Sequence, residues 1–341
     1  MENIKSTLRA LCGEMTVSGF EYRAENKIRE ICGGIFDEIR VDPMGSYVLV
    51  KKSKKQNAPK MLIDAHFDTV GMMVADINKG GFLSVVNIGG LDTRVLPATE
   101  VTVHGNRDIY GLVTSTPPHL RRAGADSVPK LKELYIDTGY SKEELEEIVS
   151  IGDPVSYRFA FTEMENGYIT TSGLDDKACV SAIIEAMRCV DVSQLKYDIY
   201  VTISAQEETG KNGSARASFD IEPDIAIITD VNFAYGDGTP DYESIKCGKG
   251  ASVDVSSLTD RVLTRRIIGL LKDKGIEHQV ICEPGRTYTN NEGLLVSGTG
   301  VRTCVLSVPL KNMHTPCETV NLKDIKSLSR ILTAIACEED L

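Results

Sequence analysis

The chain has 341 residues, 42% of them hydrophobic and 26% charged, with a formal net charge of −11. That length supports roughly two domains and a core that needs neither disulfides nor a structural metal to stay folded. The acidic balance disfavours nucleic acid or an anionic membrane surface as the main partner, because both require a phosphate-neutralising basic face.

In chain order, residues 2–12 and 21–36 carry helical apolar spacing, the second ending at Gly33–Gly34. "SYVLV" (46–50) and "MLIDAH" (61–66) read as strands joined by a basic, polar loop. From residue 71 the texture changes to short strands punctuated by Gly and Asn: "GMMVADI", "GFLSVVNI", "EVTVHG" and "IYGLVTS". "SKEELEEIVS" (141–150) interrupts them as a helix whose Ser141 and Glu144 fit a capping box. Near residue 165 helix–strand alternation resumes. "LDDKACVSAIIEAMRCV" is a helix opening on two aspartates. "DIYVTISAQ" (198–206), "DIAIITDV" (224–231) and "GVRTCVLSV" (300–308) are strands, and the last helix follows Asn321 as its cap. This order predicts an α/β domain built from residues 1–70 and 165–341, interrupted by a small β-rich domain at 71–164. No run approaches 18 apolar residues and no secretory apolar stretch stands at the N-terminus, so no membrane association is expected. Nine single cysteines without a CxxC pair read as reduced thiols of a cytoplasmic protein.

Ligands of open α/β sheets bind beyond the carboxyl ends of the strands. Here those ends carry His66 and Asp68, Glu207 and Glu208, Asp230, and then His314. Asp175 and Asp176 open a helix after a further apolar-flanked segment, "GYITTSG", which is expected to join the same sheet. Singly, each has an ordinary reading as a helix cap, a solvated turn or a hydrogen-bonded histidine. Together they are harder to dismiss, because burying several carboxylates at one place is prohibitive without a cation. A divalent metal resolves that cost, and mixed His and carboxylate donors suit zinc, cobalt or manganese better than calcium or magnesium. Two histidines and more than three carboxylates exceed a single open tetrahedral site. They suffice for two ions sharing a bridging carboxylate, an arrangement that polarises a carbonyl and generates a nucleophile from water near neutral pH. One of Glu207 and Glu208 can then bind metal while the other stays free as general base.

The succession H-x-D, D-D, E-E, D, H resembles the co-catalytic two-metal aminopeptidases. Within them it is similar to the glutamyl aminopeptidase and tetrahedral (TET) aminopeptidase family. "AHFDTVGMMV", "GLDDKA", "AQEETGKNGS", "PDIAIITDV", "CGKGA" and "MHTPCETVNLKDI" carry the likeness over nearly the whole chain. The resemblance implies a mixed sheet flanked by helices, with the β-rich insertion as a dimerisation or oligomerisation domain. It implies two divalent ions per subunit, zinc foremost, with cobalt or manganese as alternatives. His66, Asp175 and Asp230 would hold one ion, and Asp175, Glu208 and His314 the other. Glu207 would be the general base, and Asp68 would accept the remaining ring N–H of His66. The Asp175–Asp176 peptide would be cis. The implied substrates are peptides, cleaved after their N-terminal residue, and the implied assembly is a homo-oligomer, from a dimer up to a dodecamer.

The sequence departs from the family's usual pattern at Thr69, Leu91, Asn290–Asn291 and Lys311, positions that bear on substrate choice and assembly rather than on the ligands. "CGKGAS" lacks the leading glycine of a phosphate loop. Cys317 reads as a structural thiol. The competing functions are a metal-dependent deacylase or carboxypeptidase, a glycosidase, and a metal-stabilised assembly protein without catalysis.

Overall fold

In a computed structural model, which describes residues 2–115, 128–236, 240–339 and 341, the chain opens on helix α1 (Glu2–Cys12), with Ile4, Leu8 and Leu11 buried along one face. The second predicted helix is shorter than its periodicity suggests. A single 3₁₀ turn (Glu21–Ala24) leads into α2 (Glu25–Cys32), and Gly33 leaves helical geometry with ψ 132°. Glu21 is drawn inward because its carboxylate accepts the amides of Gly19 and Gln206, both at 3.0 Å.

Strands β1 (Glu38–Val41), β2 (Tyr47–Lys51) and β3 (Lys60–His66) follow. β4 (Gly71–Ile77), β5 (Phe82–Ile88), β6 (Glu100–His104), β7 (Asp108–Val113), β8 (Ile136–Asp137) and β9 (Pro154–Tyr157) close into a small barrel in the order β4-β5-β8-β7-β6-β9. Its alternating residues, among them Met72, Val74, Leu83, Val101, Val103 and Val155, fill a core separate from the rest of the molecule. Helix α3 (Lys142–Ile148) lies between β8 and β9 and carries the capping box expected from Ser141 and Glu144. Residues 116–127 of this stretch lie outside the described residues.

After the barrel come β10 (Thr162–Glu163), β11 (Tyr168–Thr171), α4 (Leu174–Cys189), β12 (Asp198–Ser204), the short turn α5 (Glu207–Gly210) and α6 (Asn212–Ile221). The chain then runs through β13 (Ile225–Phe233), β14 (Ser252–Ser256), α7 (Arg261–Asp273), β15 (Gln279–Glu283), α8 (Asn291–Leu294), β16 (Arg302–Leu310), β17 (Glu318–Asn321) and α9 (Leu322–Ala336). Asn321 caps α9 through the amide of Lys323, as expected. The main sheet is mixed, with strand order β1-β2-β12-β3-β13-β16-β14-β15. Its four central strands are parallel. β3, at their centre, is buried on both faces, which explains its near-continuous apolar run. Met61 and Ile63 point to a core shared with α1, α4, α7 and α9, while Leu62 points to a smaller one beneath α6 and α8. One expectation is corrected. The segment before Asp175 does not belong to the main sheet: β11 pairs with β10 and β17 in a separate three-stranded sheet. β1, β14 and β15 were not read as strands: β1 and β14 interleave polar or charged residues, and β15 offers only the short run Val280–Cys282. Among the described residues no helix is long and apolar enough to cross a membrane, and all nine cysteines are free thiols.

A polar seam runs through the sheet face under α6 and α8. Asp64, on β3, accepts hydrogen bonds from Thr202, from Ser204 at 3.3 Å and from Asn290 at 2.7 Å. Asp254, on β14, accepts from Ser252 at 2.5 Å and from Ser307. Burial pushes the Asp254 carboxyl up to about 7, outweighing the hydrogen bonds from the two serines. An unfolded aspartate loses its proton near about pH 4. The folded chain therefore binds more protons than the unfolded one between these values, and stability falls as pH rises through that window. Asp254→Asn removes the titration. In denaturant melts the variant is expected to gain on the parent between about pH 4 and 7 and to hold a constant lead above it; parallel pH curves for the two proteins would contradict this.

Candidate active site

His66 is the last residue of β3, so its side chain emerges where the parallel strands end. Asp230 lies three strand positions before Phe233, the exposed end of the neighbouring β13, and is itself buried. Glu207 and Glu208 follow β12, but not as alternating strand residues. Gln206 takes a left-handed conformation with φ 60°, and the chain turns into α5, which separates the two side chains. Asp175 and Asp176 begin α4 after Gly173, where φ is 73°. The peptide between them is cis, as the resemblance implied. His314 stands in the loop after β16, with φ 61°.

These elements bring two groups of potential ligands together. His66, Asp175 and Asp230 form one and Asp175, Glu208 and His314 the other, the donor atoms of each lying within 4.8 Å of one another. Asp175 belongs to both. Its Oδ1 is 2.9 Å from His66 Nε2, and its Oδ2 is 3.4 Å from His314 Nε2. His314 Nε2 also lies 3.2 Å from Glu208 Oε1, and His66 Nε2 lies 3.7 Å from Asp230 Oδ1. Both imidazoles are turned the same way. His66 Nδ1 donates to the carbonyl oxygen of Asp68 at 2.9 Å, and His314 Nδ1 to the carbonyl oxygen of Gly90 at 2.8 Å. Each Nε2 is thereby left facing carboxylates, the tautomer a metal ligand needs. The Gly90 bond comes from the loop after β5, so the barrel orients one of the histidines.

The electrostatics carry the same message. Burial pushes Asp230 well above the usual carboxylate range, and His66 does not fully offset it. Burial also raises Glu208. Burial would raise Asp175 too, but hydrogen bonds from His314 and His66 outweigh it and hold that carboxyl low. For the histidines, burial favours the neutral ring. Asp175 and Glu208 overcome it at His314, which is pushed up to about 11, and Asp175 and Asp68 overcome it at His66. No lysine or arginine among the described ion pairs reaches any of the five groups. A cluster of this composition, buried and rich in anionic oxygen, matches the donor chemistry of a divalent cation pair.

Glu207 stands beside the clusters. It is buried, and its Oε1 has no hydrogen-bond partner. Lys211 Nζ lies 3.6 Å from that oxygen and an equal 3.6 Å from Glu292. Asp176, next to the shared aspartate, is fully buried with neither carboxylate oxygen hydrogen-bonded.

Asp68 accepts the ring N–H of His66 as expected, but through its main chain rather than its carboxylate. Its carboxylate Oδ1 is 3.6 Å from His66 Nδ1, beyond hydrogen-bonding distance. The ring proton goes to its main-chain oxygen instead. Its two carboxylate oxygens accept the amides of Glu207 at 2.9 Å and Glu208 at 3.0 Å. Asp68 thus pins the turn that carries the E-E pair. Sequence reasoning missed two carboxylates of the same kind. Glu21 holds the amide of Gln206, just before that turn. Glu318, inside the "MHTPCETV" block but without an assigned role, holds amides of both the Asp175 and the His314 loops. It also missed the role of Asp64, which is no ligand but ties Asn290 to the sheet. The "CGKGA" loop is occupied from within, since the amides of Gly248 and Gly250 donate to Asp324 at 2.6 and 2.7 Å. Cys317 is exposed and joins neither ligand group.

A cavity of about 300 Å³ is lined by Thr69, Asp175, Lys177 and Glu208 together with His104 and Arg158. Lys177 is buried, donates to the carbonyl oxygen of Glu14 at 2.9 Å and lies 5.4 Å over the Phe67 ring, so it is engaged away from the ligands.

Comparison with known proteins places this geometry. Residues 45–331 match the profile of the M42 glutamyl aminopeptidase family. A lysyl aminopeptidase of Pyrococcus furiosus is 33% identical over 94% of this chain and 92% of its own. An aminopeptidase of the archaeon Desulfurococcus kamchatkensis superposes with a TM-score of 0.92 at 27% identity, over 99% of this chain and 95% of that one. The TET1 peptidase of Pyrococcus horikoshii, described as able to assemble into a tetrahedron or a large octahedral shell, superposes with a TM-score of 0.87 at 28% identity, over 98% and 99% of the two chains.

Asp68→Asn replaces one acceptor oxygen with an amide facing an N–H of the Glu207–Glu208 turn. It is expected to cost about 1–3 kcal/mol in chemical denaturation of the metal-free protein. No measurable loss would show that the turn does not depend on this carboxylate.

Proposed function

The chain belongs to the M42 glutamyl aminopeptidase family and is a metal-dependent aminopeptidase, and we propose that its clusters hold two divalent ions beside Glu207 as general base. The observation that carries this reading is the Asp175 carboxylate, one oxygen turned to His66 and the other to His314. His66, Asp175 and Asp230 would hold one ion, and Asp175, Glu208 and His314 the second. The donor set suits zinc, with cobalt or manganese as alternatives. When bound, such a pair supplies Lewis acidity toward a carbonyl oxygen and makes water a nucleophile near neutral pH.

The remaining work falls to the chain's own groups. Glu207 takes a proton from the attacking water and delivers it to the departing amide nitrogen, a role its unpartnered Oε1 supports. Asp68 keeps Glu207 and Glu208 in register through their amides. Gly90 and the main chain of Asp68 hold the two imidazoles in one tautomer. The cavity along Thr69 and Lys177 offers the substrate side chain a place beside the clusters.

Residues 71–164 are assigned to contacts between subunits of a homo-oligomer, a dimer or a larger shell. Val86, Tyr110 and Leu112 stand exposed on the barrel wall in support, and the Pyrococcus horikoshii relative can assemble into a tetrahedron or a large octahedral shell. The nine free thiols support a reducing, cytoplasmic setting.

Glu207→Gln is expected to lower kcat on aminoacyl fluorogenic substrates by about 10²–10⁴-fold while ion content by elemental analysis stays at the parent's level. Undiminished turnover would remove Glu207 from the mechanism. N-acetylated substrates are expected to be inert in the same assay; turnover equal to that of free-amine substrates would reassign the chain to a different amide hydrolysis.

A further inference from the structure

Glu318 engages more of the site than any other side chain outside the two clusters. It begins β17 at 2% exposure, opposite Thr171 of β11 in the antiparallel register. Its Oε2 accepts the amides of Leu174 at 2.8 Å and Asp175 at 3.2 Å, and its Oε1 accepts the amide of His314 at 2.9 Å. The first two amides lie before the regular part of α4, because Asp175 (ψ 106°) and Asp176 leave helical geometry, so the helix offers them no acceptor. The third belongs to a residue in left-handed conformation outside any strand or helix. All three donors therefore depend on a partner from elsewhere, and one carboxylate serves them all.

A cap that merely satisfied α4 would touch one chain segment. Glu318 touches two, and they carry the shared ligand Asp175 and the second-cluster ligand His314. We propose that Glu318 is a positioning residue that fixes Asp175 relative to His314 and so preorganises the second ligand group for its ion. The inference deepens the two-ion reading and rests on it. Glutamine, though of the same size, cannot substitute: its single carbonyl oxygen can serve one loop, while its NH₂ faces an N–H of the other. Outer groups that orient ligands are worth about 10–100-fold in metal affinity.

The test titrates cobalt(II) into metal-free parent, Glu318→Gln and Glu318→Ala in competition with a chromophoric chelator, recording the visible d–d spectrum at each step. Metal-free melting curves establish which proteins are folded at the titration temperature. The parent is expected to take two ions. Folded Glu318→Gln is expected to bind one of them about 10–100-fold more weakly, with an altered spectrum at that step and a lower kcat at little-changed KM. Wild-type affinity and spectrum in folded Glu318→Gln would overturn the inference and leave Glu318 as a helix cap. Should Glu318→Ala fail to fold, the isosteric glutamine variant decides alone. A parent that takes fewer than two ions would instead overturn the two-ion reading, and the inference with it.

Discussion

The site turns on one carboxylate. Asp175 presents an oxygen to each of two histidines that arrive from opposite ends of the chain, one at the close of β3 and one after β16. Buried among Asp230, Glu208 and Glu207, it would be untenable as part of an uncompensated acidic cluster. Much of the surrounding architecture can be understood as the means of bringing that cluster together and holding it there. The parallel centre of the sheet delivers His66 and Asp230 side by side. Asp175 follows β11 of the separate β10-β11-β17 sheet, and His314 stands in the loop that joins β16 of the main sheet to β17 of the separate one.

His66 and Asp230 sit on strands, but Asp175, Glu208 and His314 sit on backbone that no strand holds. Gln206 and His314 are left-handed, and Asp175 follows a left-handed glycine. Residues in such conformations persist only where the surroundings over-determine them. Here buried carboxylates perform that task by accepting main-chain amides: Glu21 for Gln206, Asp68 for Glu207 and Glu208, and Glu318 for Leu174, Asp175 and His314. Each loop is thus fixed by a hydrogen bond to its backbone, leaving its ligand side chain to face the cluster. The acidic residues of this site divide into those that face the ions' positions and those that hold the frame.

That division explains what could be read from the sequence. The histidines and acids that follow the strands stand in an order visible in a linear chain, while the choice among Asp175, Asp176, Glu207 and Glu208 as ligands came from the family resemblance. The β-rich insertion was visible too, through its short Gly-punctuated strands. The frame was not. Glu318 and Glu21 are charged residues that composition alone would place in solvent, and their burial depends on amides supplied by distant segments. Asp64 shares His66's face of β3 and was passed over, because its partners Thr202, Ser204 and Asn290 become neighbours only once the sheet is assembled. The same holds for Gly90, whose carbonyl meets His314 across the boundary between barrel and sheet. β14 escaped notice for a related reason: its polar Ser252 and Asp254 are buried by bonding to each other and to Ser307 of β16, which an apolar run does not signal.

The central claim is that a single carboxylate is shared by two ions. Anomalous diffraction at the zinc edge from zinc-loaded crystals tests it most directly. The account predicts two anomalous peaks per chain, each about 2.0–2.2 Å from a different oxygen of Asp175. One peak, or two of which Asp175 touches only one, would contradict it.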